Sequence, residues 1–458
     1  MQKNTKKRYK RWFNGGLKLN ANIIFYGGVN EVGGNKVLIS DSDTRVLFDF
    51  GASFMLKDKF YSAPFLSPKS GLDLVKLGIL PDLKGIYNFD DFKPNIDAVF
   101  LSHSHMDHSA YISFLKREIP IYCGETTAII LNALSEVHPA NIEFNLEGIK
   151  FKTFRTGDKI KVGSIEVMPI HVDHSVPGSY GFVIYTSSGT VVYTGDFRQH
   201  GLRPELTWDF LHVSAEERPE AMICENTNMT EVEFSSENEV MTKIDNLVSH
   251  TSGLVLTEFA YADTDRLRSF YEVALKNNRQ LVIPMKQAYL LHKLSLDPHL
   301  NIPKLNDGSI LIFRKEKRKY FRWEQEIMDS GELISPLEVS KRQNKIILSM
   351  SFFDLSWLVD INPSPGSCYI LSASEPFNEE MEIDFTRLLN WLEHYGLPQY
   401  HVHVSGHIMP LHLREAIKMI KPKKVFPIHG TYPKLFSRFL GDLESKVIMP
   451  EKGKAYEL

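Results

Sequence analysis

From residue 22 the chain is written in short apolar runs broken by Gly, Asn and Asp: NIIFYGG, KVLIS, RVLFDFG, DAVFLSH, IPIYCG, IKVGSIEVMPI, YGFVIYT, TVVYTGDF and AMICEN. Runs of this length, rich in Val, Ile, Phe and Tyr, predict strands. Several end in polar loops that carry His or Asp, and in layered α/β folds functional side chains collect there. The rhythm then changes. Residues 231–250 predict a helix, GLVLTEFA a strand, TDRLRSFYEVALKN a helix and RQLVIPM a strand. That alternation predicts a small parallel sheet with crossover helices. PSPGSCYILSAS reads as a loop and strand, and residues 379–396 as an amphipathic helix closed by Gly396. The first rhythm returns at the end: HVHVSGH predicts a strand, LHLREAIKMIKP a helix, KVFPIHG a strand. One domain is thus interrupted by another: 1–229 and 401–458 form the outer domain, 230–400 the insert.

A chain of 458 residues has room for two to three domains, and 43% apolar with 24% charged residues is a soluble globular mix. The net charge of −3 excludes a small, strongly basic nucleic-acid module, so nucleic acid would bind through local patches. No apolar stretch is long enough to suggest a membrane span. Lys3, Lys6, Lys7, Arg8, Lys10 and Arg11 have no apolar run behind them, which reads as a frayed tail or a phosphate-touching arm and not as a secretory leader. Cys123, Cys224 and Cys368 are scattered with no CxxC pair, as expected of free thiols in a reducing cytoplasm.

Histidine changes the picture. LSHSHMDHS places His103, His105, Asp107 and His108 in an HxHxDH spacing. Imidazole and carboxylate suit Zn²⁺. Two histidines at i and i+2 after a strand point the same way and can share one metal; Asp107 and His108 can face a second. Completing two sites takes further ligands, one of them a carboxylate able to bridge. Strand-end candidates are His171 and His174 in MPIHVDHSVPGS, Asp196 in VVYTGDFR and His429 in VFPIHG.

Together HSHMDHS, DHSVPGS, TGDFR and FPIHG resemble the ordered motifs of the metallo-β-lactamase fold, and FDFG with Asp49 resembles its first motif. CENTN with Glu225, VSGHI with His407, and His429 are similar to the three extra motifs of the β-CASP nucleases, the group that includes RNase J. The likeness runs from about residue 22 to residue 432. It implies an α/β fold: an αββα sandwich with an inserted β-CASP domain, a small parallel sheet flanked by helices. It implies two Zn²⁺, or Mn²⁺. His103, His105 and His174 would bind one, Asp107, His108 and His429 the other, and Asp196 would bridge. His174 is preferred to His171 because the family's third ligand precedes Ser in this HSxP text. Asp49 would orient a ligand histidine. The implied activity is a zinc-dependent ribonuclease, 5′→3′ exonuclease or endonuclease, in which a metal-bridging hydroxide attacks the phosphodiester. His407 would be the general acid, held protonated by Glu225.

His429 favours RNA, because the DNA-repair members typically have Val there. The run RKEKRKYFRW interleaves Arg314, Lys315, Lys317, Arg318, Lys319 and Arg322 with Tyr320, Phe321 and Trp323, which suits single-stranded RNA as readily as a charged, solvated edge. Ser372 and Ser374 could hydrogen-bond an RNA oxygen. Glu375, Glu379 and Glu380 nearby, and Ile408 where the family has a small residue, depart from the RNase J phosphate pocket. A homodimer remains open, though not through an RNase J-type C-terminal domain. The competing readings are a thioester or lactone hydrolase of the same fold, a non-catalytic scaffold, and a DNA nuclease.

Overall fold

The computed structural model describes residues 20–62, 65–138, 141–230, 235–374 and 379–458, the side chains of 379 and 380 excepted. The basic residues Lys3 to Arg11 and Glu375 lie outside the described residues. Among the described residues three seven-stranded sheets carry the fold. In the first, Ala455–Glu457, Asn22–Gly27, Lys36–Asp41 and Thr44–Phe48 run antiparallel, and Ala98–Phe100, Ile121–Gly124 and Phe151–Phe154 continue in parallel. In the second, Ile160–Val162, Ile165–His171, Tyr180–Thr186 and Gly189–Tyr193 run antiparallel, followed in parallel by Ala221–Glu225, Lys424–Ile428 and Lys446–Val447. The run IKVGSIEVMPI divides into two of these strands because Gly163, at φ 54°, turns the chain between them.

These two sheets pack face to face. Ile23, Phe25, Phe48 and Phe100 from one meet Ile165, Phe182, Tyr193 and Phe426 from the other, all buried. Removing such a side chain from water stabilises the sandwich by about 1.5–3 kcal/mol each. The outer face of the first sheet is covered by Leu74, Tyr111 and Leu131, that of the second by the helices Pro204–Glu216 and Pro410–Ile420. The layers are therefore helix, sheet, sheet, helix. Register keeps the strand ends level: Phe48 lies opposite Phe100, Tyr193 opposite Ile223, and Glu225 opposite Ile428.

The third sheet is parallel throughout and is built entirely from strands between Val255 and His401. Its strands read as continuous apolar text because both faces are buried, under helices such as Thr264–Lys276 and Met285–Leu294 on one side and Leu358–Ile361 on the other. The helix expected at 231–250 is Glu237–His250. HVHVSGH is a strand only at its start, within Gln399–His401. Val402 and Val404 stay buried while the chain turns toward Ser405 and Gly406. Helix Glu125–Val137 of the sandwich packs against Met285–Leu294 of the insert. At the junction Arg198 Nη1 meets Glu237 Oε1 at 2.8 Å, Arg198 Nη2 meets Asp265 Oδ2 at 2.7 Å, and Arg266 Nη2 meets Glu237 Oε1 at 3.1 Å. Arg198, Arg266 and Glu237 are wholly buried. Among the described residues no helix is long and apolar enough to cross a membrane.

Candidate metal centre

The carboxyl ends of Thr44–Phe48, Ala98–Phe100, Ile165–His171, Gly189–Tyr193, Ala221–Glu225 and Lys424–Ile428 open on one edge of the sandwich. The buried strand Ala98–Phe100 delivers residues 101–105, and the one-turn helix Met106–Ser109 then turns Asp107 and His108 inward. Gly51 allows this helix to sit close: a Cβ there would lie 1.7 Å from the Asp107 carbonyl oxygen. Gly195, at φ 56°, frees the loop carrying Asp196 from a clash with Ser102 and Tyr180.

Seven side chains converge there. His103, His105, His174 and Asp196 bring one donor atom each within 4.8 Å of one another, as do Asp107, His108 and His429. In the first group His105 Nδ1 is 3.0 Å from His103 Nε2 and 3.1 Å from His174 Nε2. In the second, Asp107 Oδ2 is 3.0 Å from His429 Nε2 and 3.9 Å from His108 Nε2. Asp196 Oδ2 faces both, 3.6 Å from His103 Nε2 and 3.0 Å from His108 Nε2. His171 stands apart, its ring stacked on Tyr180 at 4.9 Å.

The outward nitrogens of four rings are already committed. His108 Nδ1 donates to Asp49 Oδ2 at 2.7 Å, and His174 Nδ1 to the Gly406 carbonyl at 2.6 Å. The Thr227 hydroxyl donates to the His429 carbonyl, so it accepts from His429 Nδ1 at 2.8 Å. Ser102 Oγ donates to Asp49 Oδ2 and accepts from His103 Nδ1 at 3.0 Å. Asp49, in the left-handed region at φ 58°, also accepts from the Ser102 N–H at 2.7 Å and the Tyr193 hydroxyl at 2.6 Å. Such outer partners orient the rings, here turning the Nε2 atoms inward.

That arrangement fits a divalent cation. His105 Nδ1 carries at most one proton and cannot satisfy two facing lone pairs. Asp196 Oδ1 is buried with no hydrogen-bond partner among the described residues. Burial, reinforced by neighbouring rings, holds His103 and His174 well below the usual imidazole pKa, and burial takes His105 to about 4, so these rings stay neutral. Burial opposes ionisation of Asp196, but His108, His429 and His407 outweigh it and hold the carboxyl well below its usual range. The donor set of imidazole and carboxylate accepts zinc and also manganese.

Beside the cluster, His407 Nδ1 lies 3.1 Å from Glu225 Oε2 and 3.7 Å from Asp196 Oδ2. Glu225 Oε1 is pinned by the N–H groups of Phe197 at 3.1 Å and Ile408 at 3.3 Å. Burial works against a charged His407, but Glu225 and then Asp196 outweigh it and raise its pKa to about 9. Its side chain is 20% exposed, against 1% or less for His103, His108, His174 and His429.

The expected RNA contacts divide. Ser372 is buried, donates to the Val402 carbonyl at 2.6 Å and accepts from Arg266, so its hydroxyl proton is not available to an RNA oxygen. Ser374 is exposed. Trp323 is packed into the insert's core, Lys317 pairs with Glu324, and Arg314 lies 3.8 Å from Glu316. Arg318 and Lys319 are exposed with no ion pair among the described residues. Sequence reasoning missed Ser102, Tyr193 and Thr227. Ser102 and Thr227 sit within motifs it had already singled out, beside His103 and two residues after Glu225.

Residues 88–209 match the Beta-lactamase superfamily domain. The chain is similar to Ribonuclease J 2 of Streptococcus pyogenes, 24% identical over 423 residues that cover 90% of this chain and 70% of that protein. It is 25% identical to Ribonuclease J of Mycoplasma pneumoniae over 91% of this chain and 68% of that one. With Ribonuclease J of Mycobacterium tuberculosis it shares 24% over 97% and 75%. A crystal structure of a protein of unknown function from Enterococcus faecalis superposes with a TM-score of 0.76 at 22% identity, covering 96% of this chain and 100% of that one. At that identity the likeness is one of fold.

Proposed function

We propose that this chain, an RNase J-like protein of the metallo-β-lactamase and β-CASP group, is a metal-dependent ribonuclease that hydrolyses single-stranded RNA at the histidine–aspartate cluster. The observation that carries the reading is one carboxylate oxygen: Asp196 Oδ2 lies within 3.6 Å of His103 Nε2, His108 Nε2 and His429 Nε2. His103, His105, His174 and Asp196 would hold one divalent cation, and Asp107, His108, His429 and Asp196 a second, zinc first and manganese as the alternative. When bound, such a pair supplies positive charge at the phosphate and acidifies water.

The chain's own residues set the rest. Asp49, Ser102, Thr227 and the Gly406 carbonyl hold the four rings with Nε2 inward. Glu225 engages His407 Nδ1, leaving the Nε2 proton for the departing 3′-oxygen. Arg318 and Lys319 offer the strand backbone two uncommitted cations. His429 supports RNA over DNA. The three free, buried cysteines support a reducing cytoplasm.

The test uses one labelled single-stranded RNA with a 5′ monophosphate, triphosphate or hydroxyl, beside the matching DNA, each incubated with the purified chain and Zn²⁺ or Mn²⁺. RNA cleavage dependent on the metal is expected. Mononucleotides released only from the monophosphate RNA mean a 5′ exonuclease; internal fragments whatever the end mean an endonuclease. Preference for DNA, or inert nucleic acids with two metals bound, overturns the reading; in the second case thioester or lactone hydrolysis takes its place.

A further inference from the structure

Three loops that carry residues of the cluster are tied to one another behind it. In the first, Asp173 precedes His174. In the second, Arg198 follows Asp196 by two residues. The third runs from Val402 to His407. The Arg198 N–H donates to the Asp173 carbonyl at 2.8 Å. The Thr207 hydroxyl donates to the Arg198 carbonyl at 2.7 Å and accepts from the Asp173 N–H at 3.0 Å, so one buried hydroxyl fastens both loops. Arg198 Nε lies 3.5 Å from Asp173 Oδ1. Gly201 makes room for that pair: a Cβ there would lie 2.2 Å from Asp173 Oδ2 and 2.4 Å from Arg198 Nε. His200 Nε2 donates to the Ser405 carbonyl at 2.8 Å and so joins the second loop to the third, whose Gly406 carbonyl receives His174 Nδ1.

The far side of this knot belongs to the insert. Arg198 presents Nη1 to Glu237 and Nη2 to Asp265, and the Glu237 N–H donates to the His200 carbonyl at 3.0 Å. Arg266, which pairs with Glu237, also donates through Nη1 to the Val402 carbonyl at 3.1 Å, at the start of the third loop. The two halves of the cluster therefore differ. The ring partners of His103, His108 and His429 are Ser102, Asp49 and Thr227, all residues of the sandwich. His174 and Asp196 instead stand on loops braced by a guanidinium that the insert holds through two of its nitrogens. Apolar side chains of equal volume often seal a junction at least as firmly as buried ions do. What a planar guanidinium adds is direction, because its fork fixes several oxygens in one geometry.

We propose that Arg198 is a positioning residue for the metal centre, and that the insert sets its place through Glu237 and Asp265. The guanidinium is wholly buried, so RNA does not reach it, and it is not among the clustered ligands. It holds Asp173 and, through its own backbone, the loop of Asp196, and so keeps His174 and Asp196 at the spacing one cation requires. The insert then has a task apart from any contact with RNA: it completes the half of the cluster formed by His103, His105, His174 and Asp196. This rests on the metal-dependent reading given above.

The full chain loaded with Zn²⁺, and separately with Mn²⁺, is titrated with a chromophoric chelator at pH 8, as wild type, Arg198→Lys, Asp265→Ala and Asp265→Glu. At that pH Asp265, whose pKa burial pushes up to about 7, is ionised. Its side chain is 15% exposed in the first turn of Thr264–Lys276, so its variants keep the fold, which circular dichroism checks. Wild type is expected to give up two cations. Arg198→Lys keeps the charge but loses the fork, and should weaken one cation about 10–100-fold, the scale of a lost outer partner. Asp265→Ala should weaken it about tenfold, with Asp265→Glu closer to wild type. In RNA cleavage kcat should fall and return with excess metal, while KM stays constant. Should Arg198→Lys not fold, Asp265→Ala alone decides. Variants that hold both cations as tightly as wild type overturn the inference, and so does a KM that rises at unchanged metal affinity. If wild type meanwhile binds metal and cuts RNA, the ribonuclease reading stands without it. A wild type that holds no cation removes both.

Discussion

Asp107 shows how much rests on a single side chain. One of its carboxylate oxygens reaches both His429 and His108, and among the described residues no other carboxylate belongs to that half of the cluster alone. Asp107→Ala is expected to reduce RNA hydrolysis to background with an unchanged circular dichroism spectrum; full retained activity would remove the two-metal reading. His407→Gln should slow cleavage by about 10²–10⁴-fold, the usual contribution of a positioned acid, with metal content by elemental analysis unchanged. Loss of metal would instead make His407 a ligand. Lys36 gives a pH signature from beneath the loop that carries Asp107. It is buried, donates to the carbonyls of Gly34 at 3.0 Å and Gly51 at 2.6 Å, and burial lowers its pKa from 10.5 to about 7. Between those values the unfolded chain holds the extra proton, so this residue's contribution to stability rises with pH from about 7 to 10.5 and is least below 7. Thermal melts of wild type and Lys36→Met across that range should differ by this rise; parallel curves would refute it.

Among the elements, the junction between sandwich and insert depends on charge taken out of water. Helix Glu237–His250 opens with Glu237, which meets Arg198 from the sandwich and Arg266 from helix Thr264–Lys276. Glu237→Leu removes the carboxylate shared by two buried guanidinium groups and leaves Arg266 without its ion pair, which should cost about 3–5 kcal/mol and lower the urea midpoint; an unshifted midpoint would mean that water reaches the junction. The helices Glu237–His250, Thr264–Lys276, Glu379–His394 and Pro410–Ile420 and most strands were legible from apolar periodicity, whereas Glu125–Val137 and Pro204–Glu216 were not read. The fate of their charges was not. Arg198 and Arg266 look like surface residues in the text, and only the packed junction turns them inward. The run 314–323 shows the same limit: Lys315 and Lys317 are taken up by Asp354 and Glu324, acids whose proximity local spacing alone cannot establish.

For the whole molecule, the cluster joins strands from both sheets of the sandwich. Cations bound only by the folded chain add stability by mass action, about 2.7 kcal/mol at one hundred times the dissociation constant. Chelation should therefore lower the melting temperature, and added Zn²⁺ or Mn²⁺ should restore it. A melt indifferent to chelator would argue against resident metal. His103, His105, Asp107 and His108 were legible by themselves, because neighbours in sequence on a strand end stay neighbours in space. The text also determined the two rhythms, sandwich and parallel insert, since side-chain periodicity follows directly from backbone geometry. Tertiary structure decided what depends on distant segments meeting: which histidine of 171 and 174 joins the cluster, that Asp196 Oδ2 faces both halves, that Ser102 and Thr227 hold rings, and that Tyr193 holds Asp49. Convergence and burial belong to the packed chain, and no local pattern encodes them.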